Sequence, residues 1–294
     1  MTDQNIPIRK SFSSDTIDPS LDIPESVKQV IQQSVGESKS VQNVDVLSET
    51  FILPSKGHFY SEDSPLSSGA IQIKYMTAKE EDILSSETLI KKGIVLDVLI
   101  DSLIVTENVS VDDLLIIDKN AVFVYARKLA YGPMYDTTIK CPNCGHENSV
   151  SINLDLVTDS AFDFSGFPKG VNEFSFTFPT CKETVKYRLL SGADERSIAE
   201  ELKGLSKIDK SGKSPQLTTR LKKMIVSVGD STDRTRIKNF IDTLMSRDSL
   251  EFRRHLTSAT PGIDLTLDFE CEECGHVDRV AIPMGTSFFW PEVS

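Results

Sequence analysis

The chain has 294 residues, 39% of them hydrophobic, and a net charge of −12. That length suits one large domain or two small ones, and the acidic balance argues against a general nucleic-acid binder, whose affinity rests on neutralising phosphates. No apolar run provides the roughly 20 residues a membrane helix needs, since the best stretch, Ile94 to Val105, is broken by Asp97, Asp101 and Ser102. With no charged-then-apolar leader at Met1 to Asn5, the sequence predicts a soluble protein made in a cytoplasm.

Residues 1–48 are rich in Ser, Asp and Gln. They read as a flexible N-terminal arm with one short helix from Pro24 to Ser34, the alternative being a segment that orders on a partner. Residues 49–136 read as an N-terminal α/β region. Phe51 to Tyr60 is an extended piece ending in a Pro/Gly turn, and Ala70 to Tyr75 alternates as a strand. Thr77 and Glu80 form a capping box ahead of Ile83 and Leu84. The apolar stretch from Ile94 to Val105 is a packed helix, and Ser110 opens a short helical stretch. Asp118 is placed as the cap of a helix carrying Val122, Ala126 and Leu129, which Gly132-Pro133 ends.

The next segment holds Cys141-Pro142-Asn143-Cys144-Gly145-His146, between the β-rich runs Thr137 to Lys140 and Ser149 to Ile152. The same pattern, C-x-x-C-G-H, returns as Cys271-Glu272-Glu273-Cys274-Gly275-His276, between Leu265 to Phe269 and Arg279 to Ile282. Each knuckle is expected at a hairpin tip. Two residues between paired cysteines let both sulfurs reach one ion, and zinc takes four thiolates without geometric preference. Cys141, Cys144, Cys271 and Cys274 are therefore read as one structural Zn²⁺ site, and residues 137–157 and 263–287 as a discontinuous zinc ribbon. Four thiolates close the shell and leave no position for a catalytic water. Disulfides, metal-free thiols and a site completed by a second chain are the alternatives, and a cytoplasm favours metal over disulfide. His146 and His276 are left out as ligands, and Cys181 is read as a lone buried thiol.

Residues 158–262, between the knuckles, are expected to hold a β-hairpin and a small helical bundle. Phe174, Phe176 and Phe178 alternate on one strand, and Val185, Tyr187 and Leu189 return on the next. A helix starts near Asp194 with Ile198 and Leu202, and a polar loop follows from Ser206 to Ser214. Pro215 sits at the first position of a helix that carries Leu217, Leu221, Met224, Ile225 and Val228 up to Gly229. Ile237, Phe240, Ile241, Leu244 and Met245 form another stripe, and a short helix runs from Ser249 to Leu256. The fold class is thus α+β, with an insertion inside the ribbon.

No enzyme pattern stands out. Ser211-Gly212-Lys213-Ser214 lacks the glycine and the preceding strand of a phosphate loop, and the four histidines sit in no nucleophile or metalloprotease pattern. The second knuckle region, Asp264 to Ile282, has six acidic residues against one basic. That weighs against the competing reading of a zinc-ribbon nucleic-acid-binding or transcription-associated factor. The chain ends in Phe288-Phe289-Trp290-Pro291, which holds its single Trp. Residues 288–294 are read as an aromatic tail, with Phe288, Phe289 and Trp290 as candidate partner anchors and packing onto the body as the other reading.

Several motifs in order carry a resemblance. They are Leu53-Pro54-Ser55-Lys56-Gly57 with Tyr60, Tyr75-Met76-Thr77-Ala78-Lys79-Glu80-Glu81, Leu129-Ala130-Tyr131-Gly132 before the first knuckle, and Phe288-Phe289-Trp290-Pro291 after the second. From about residue 51 onward the chain resembles the baseplate hub assembly proteins of T-even-type contractile-tail bacteriophages. The resemblance implies assembly work in the host cytoplasm, as a hub component in the virion or as an assembly factor or chaperone. Its implied partners are other baseplate hub or assembly proteins, without membrane or nucleic acid, and it brings no catalytic residues.

Overall fold

Strand β1 (Ser48–Ile52) pairs antiparallel with β2 (Ala70–Lys74), with Thr50 opposite Gln72. The structure, a computed structural model, describes residues 47–208 and 214–289. The expected arm with its helix over 24–34, the centre of the polar loop at 209–213, and Trp290 with the residues after it lie outside that range. The link from β1 to β2 folds back on itself at Gly57, where φ is 72° and a Cβ would stand 2.5 Å from the Ser67 carbonyl oxygen. Only glycine fits so close a backbone crossing with positive φ.

Helix α1 (Ala78–Leu84) starts at the expected capping box, where the buried Glu80 carboxylate accepts from the Thr77 N–H at 2.9 Å and from its hydroxyl at 2.6 Å. Helices α2 (Glu87–Lys92) and α3 (Val95–Leu103) follow, and the 110–113 stretch is a turn closed by Asp113 rather than a helix. Helix α4 (Ile116–Tyr131) buries Ala121, Val122 and Ala126. Its start differs from expectation. Leu115 stands at the cap position, and Asp118 lies in the first turn, fully buried, accepting from the Ser55 N–H at 2.9 Å and the Tyr60 hydroxyl at 2.7 Å. The carboxylate thus satisfies donors of the β1–β2 link instead of its own helix end.

Hairpin β3 (Met134–Lys140) and β4 (Glu147–Asn153) comes next. Between the knuckles, β5 (Phe174–Thr177), β6 (Thr184–Tyr187) and β7 (Ile225–Val228) form a three-stranded antiparallel sheet, order β5-β6-β7. Helices α5 (Gly192–Ile208), α6 (Gln216–Met224), α7 (Arg234–Asp242) and α8 (Ser246–Ser258) belong to the same insertion: α5 packs on α6, α6 on α7, α7 on β7, and Phe252 of α8 meets Tyr187 of β6. The expected packing of helices on one another is thus present, and the expected hairpin gains a third strand, β7. Ile225 to Val228 leave the helix because β-branched residues suit a pleated surface and β6 offers a free edge, with Val185 opposite Val228. Pro215 moves from the first helical position to the cap of α6, α7 ends before Leu244 and Met245, and α8 is longer than its sequence suggested. Hairpin β8 (Thr266–Glu270) and β9 (Val277–Ala281) precedes a short 3-10 turn at Thr286–Phe289. Among the described residues the architecture is mixed α and β, with four small antiparallel sheets.

One core joins the N-terminal region to the insertion. The Phe59 ring meets those of Phe162, Phe164, Phe167 and Phe174, and Phe174 stacks on Tyr187 with centroids 5.3 Å apart. The aromatic strand is thus core packing.

The C-terminal aromatics are also core. Phe288 and Phe289 are 1% and 0% exposed, so the expectation of a free aromatic anchor is corrected for both. Phe288 packs edge-on against Tyr135, and Phe289 against Phe123. Arg127, only 3% exposed, holds this turn. Its Nε donates to the Phe288 carbonyl at 2.7 Å and its other nitrogens to the Gly132 and Met134 carbonyls at 3.2 Å, with Tyr131 beneath the guanidinium. Arg127→Ala strips the buried Phe288 carbonyl and the part-buried Gly132 and Met134 carbonyls of their donor. It is expected to cost about 1–3 kcal/mol and to lose hydrogen-exchange protection at Phe288, with unchanged exchange there as the contrary result.

Candidate metal centre

Each knuckle is shaped by the same two backbone hydrogen bonds. In the first, the Cys141 N–H donates to the His146 carbonyl at 2.8 Å and the Gly145 N–H to the Cys141 carbonyl at 2.9 Å. In the second, the Cys271 N–H donates to the His276 carbonyl and the Gly275 N–H to the Cys271 carbonyl, both at 2.9 Å. The turns need positive φ at their glycines, 77° at Gly145 and 65° at Gly275. The knuckles crown the β3–β4 and β8–β9 hairpins, and the hairpin tips pack on each other through a small core of their own. Ile139, Phe269, Cys141 and Cys271 are buried there, with Val150, Leu267 and Val280 around them.

This packing brings all four expected sulfurs together. The Sγ atoms of Cys141 and Cys274 are 3.8 Å apart and those of Cys144 and Cys271 are 3.6 Å apart. All four lie within 4.8 Å of one another. Disulfides require about 2.05 Å, and the five cysteines are free thiols. Four thiolates bound tetrahedrally at about 2.3 Å would stand about 3.8 Å apart, so the donor set and its spacing fit a metal ion. Neither His146 nor His276 belongs to the cluster, and His276 faces Asp278 at 3.9 Å. Cys181 lies apart, half-buried, its thiol pushed up chiefly by burial.

Local hydrogen bonds prepare the second knuckle for ligation. Burial opposes ionisation of Cys271, but the N–H groups of Cys274 and Glu273 and the Asn148 amide outweigh it and bring the thiol down to about 6. The His276 N–H and the Asn143 amide lower Cys274 as well. At Cys144 the His146 N–H favours the thiolate, yet burial and the neighbouring sulfurs override it and push the thiol up to about 12. A metal, which takes thiolates, would release the proton that Cys144 keeps.

Asn148 was not singled out from the sequence, and it sits at the junction. The side chain is 2% exposed and reaches from the first knuckle to the second. A signal for it exists in the repeat: Asn143 and Asn148 stand where the second knuckle has Glu273 and Asp278.

The family model described as T4 bacteriophage base plate protein matches residues 48–290. The chain belongs to that family. The match spans both knuckles as well as the Ser55, Tyr60 and Asp118 contact, so the baseplate-family region contains the metal-competent cluster. Neither a curated protein nor a solved structure matches the chain. A phage baseplate protein implies contacts with other baseplate proteins and a place in the virion tail. Among the described residues no helix is long and apolar enough to cross a membrane.

Proposed function

We propose that this baseplate-family chain serves the central hub of the baseplate, as a hub component or as an assembly factor in the host cytoplasm. It works by protein–protein contacts and not by catalysis, and one structural zinc on Cys141, Cys144, Cys271 and Cys274 pins its two hairpins together. The observation that carries the reading is the family match over residues 48–290. The sulfur cluster supports it, because a closed four-thiolate shell stabilises a fold and leaves no site for substrate. Acidic residues around the second knuckle, Glu272, Glu273 and Asp278, weigh against nucleic acid as a partner.

The test is genetic. A phage carrying a nonsense codon in this gene, grown in a non-suppressing host, is expected to accumulate baseplates without a completed hub, and a wild-type copy supplied in trans restores them. Detection of the chain in purified tails assigns a component, and detection in the lysate alone assigns an assembly factor. Complete, infectious tails made without the protein would overturn the proposal.

A further inference from the structure

The two knuckles share their backbone but not their asparagines. Asn148 Nδ2 lies 3.7 Å from the Cys271 sulfur, 3.2 Å from the His146 carbonyl oxygen and 3.5 Å from that of Ile139. Its Oδ1 accepts from the Glu272 N–H at 2.9 Å. A carboxamide has two N–H donors and an acceptor oxygen, and here both ends are engaged, with partners on either side of the junction. Asn143 Nδ2 lies 3.7 Å from the Cys274 sulfur. Both amide donors thus come from the first knuckle and both face sulfurs of the second. Asp278, the counterpart of Asn148 in the second knuckle, is exposed; among the described residues it accepts from the adjacent Arg279 N–H and faces His276 at 3.9 Å, away from the sulfurs.

We infer that Asn148 is a positioning residue of the metal centre, fixing the Cys271 sulfur toward the ion and locking the second knuckle to the first. The inference rests on the four-thiolate reading. A buried amide is a costly way to fill space, since each polar atom must find a partner. An apolar side chain would pack there without that demand, and a carboxylate would set negative charge beside thiolates. A neutral amide with its N–H toward sulfur is the group that relieves the excess charge of a four-thiolate centre. Outer-shell partners of this kind orient ligands and tune the metal.

The experiment uses the full-length protein loaded with zinc or cobalt(II) and titrated against a chelator of known affinity. Wild-type protein that takes up no metal would sink the four-thiolate reading itself. With one metal per chain in the wild type, Asn148→Ala is expected to bind about 10–100-fold more weakly. Its sulfur-to-cobalt charge-transfer band should move to longer wavelength, because a thiolate without its N–H donor gives up electron density more readily. Asp278→Ala should leave affinity and band unchanged. Should Asn148→Ala fail to fold, Asn148→Leu fills the same space with neither donor nor charge and is read in the same way. Wild-type affinity in the variant would overturn the inference. So would weaker binding with an unmoved band, which would make Asn148 a packing residue only.

Discussion

If the four cysteines hold the proposed metal, removing it, by chelation or by Cys271→Ser, is expected to lower the melting temperature by about 10–20 °C. Cys144 and Cys271 stand 127 positions apart, so an ion that holds both closes a long loop. A crosslink over a loop of that length restricts the unfolded chain by about 5 kcal/mol, although closure entropy grows only with the logarithm of length. For a domain of this size each kcal/mol shifts the melt by about 2–4 °C. The hairpin tips have little else to hold them. Their private core is Ile139, Phe269 and the two buried cysteines, and a two-stranded hairpin is marginal in water. The bases of the hairpins, by contrast, share Tyr135, Ile152 and Ile282 with the main core. Loss of metal should therefore open the tips first, exposing the β8–β9 hairpin to protease before the rest melts. Calorimetry with and without chelator reads the shift, and native mass spectrometry reads one metal per monomer. A melt indifferent to chelator would show that the hairpins hold by packing alone.

The knuckles were legible in the sequence because their signal is local. Spacing, glycine and flanking strands repeat within each short segment, and the repeat itself implies the pairing. Other features depend on partners far along the chain. Ile225 and Val228 continue the helical spacing of Leu217, Leu221 and Met224, and a short apolar run fits strand or helix equally. The free edge of β6, some 40 residues earlier in the chain, decides it. Phe288 and Phe289 read equally well as an interface anchor or as core, and Arg127, 161 positions away, settles their place. Asp118 reads as a helix cap because acidic residues belong at helix starts. Its actual partners, Ser55 and Tyr60, are 63 and 58 positions distant. The motif Leu53-Pro54-Ser55-Lys56-Gly57 with Tyr60 thus has a physical basis. Gly57 permits the turn, Ser55 and Tyr60 present donors, and Asp118 receives them.

Asp118→Ala is expected to destabilise the protein by about 1–3 kcal/mol for each of the two buried donors it leaves without an acceptor. The Ser55 N–H and the Tyr60 hydroxyl would both be left unpaired, and the Tyr60 oxygen also accepts from the Leu115 N–H at 2.8 Å. One deletion therefore loosens the β1–β2 link and the start of α4 together. Tyr60→Phe removes one hydroxyl and should cost less, about 1–3 kcal/mol. The double variant should fall short of the sum, because the two side chains share one hydrogen bond. The pH dependence has a definite sign. Burial raises the Asp118 carboxyl above its ordinary range, and the hydrogen bonds from Ser55 and Tyr60 offset this only in part. A raised folded-state value means that its contribution is full below the unfolded value of about 3.9 and is lost as pH rises through the folded value. Asp118→Asn cannot ionise, so its deficit relative to wild type should shrink as pH rises from about 4. Denaturant titrations of both proteins across that range measure the difference. A deficit that grows with pH would show that the carboxylate is favoured in the fold, its hydrogen bonds outweighing burial.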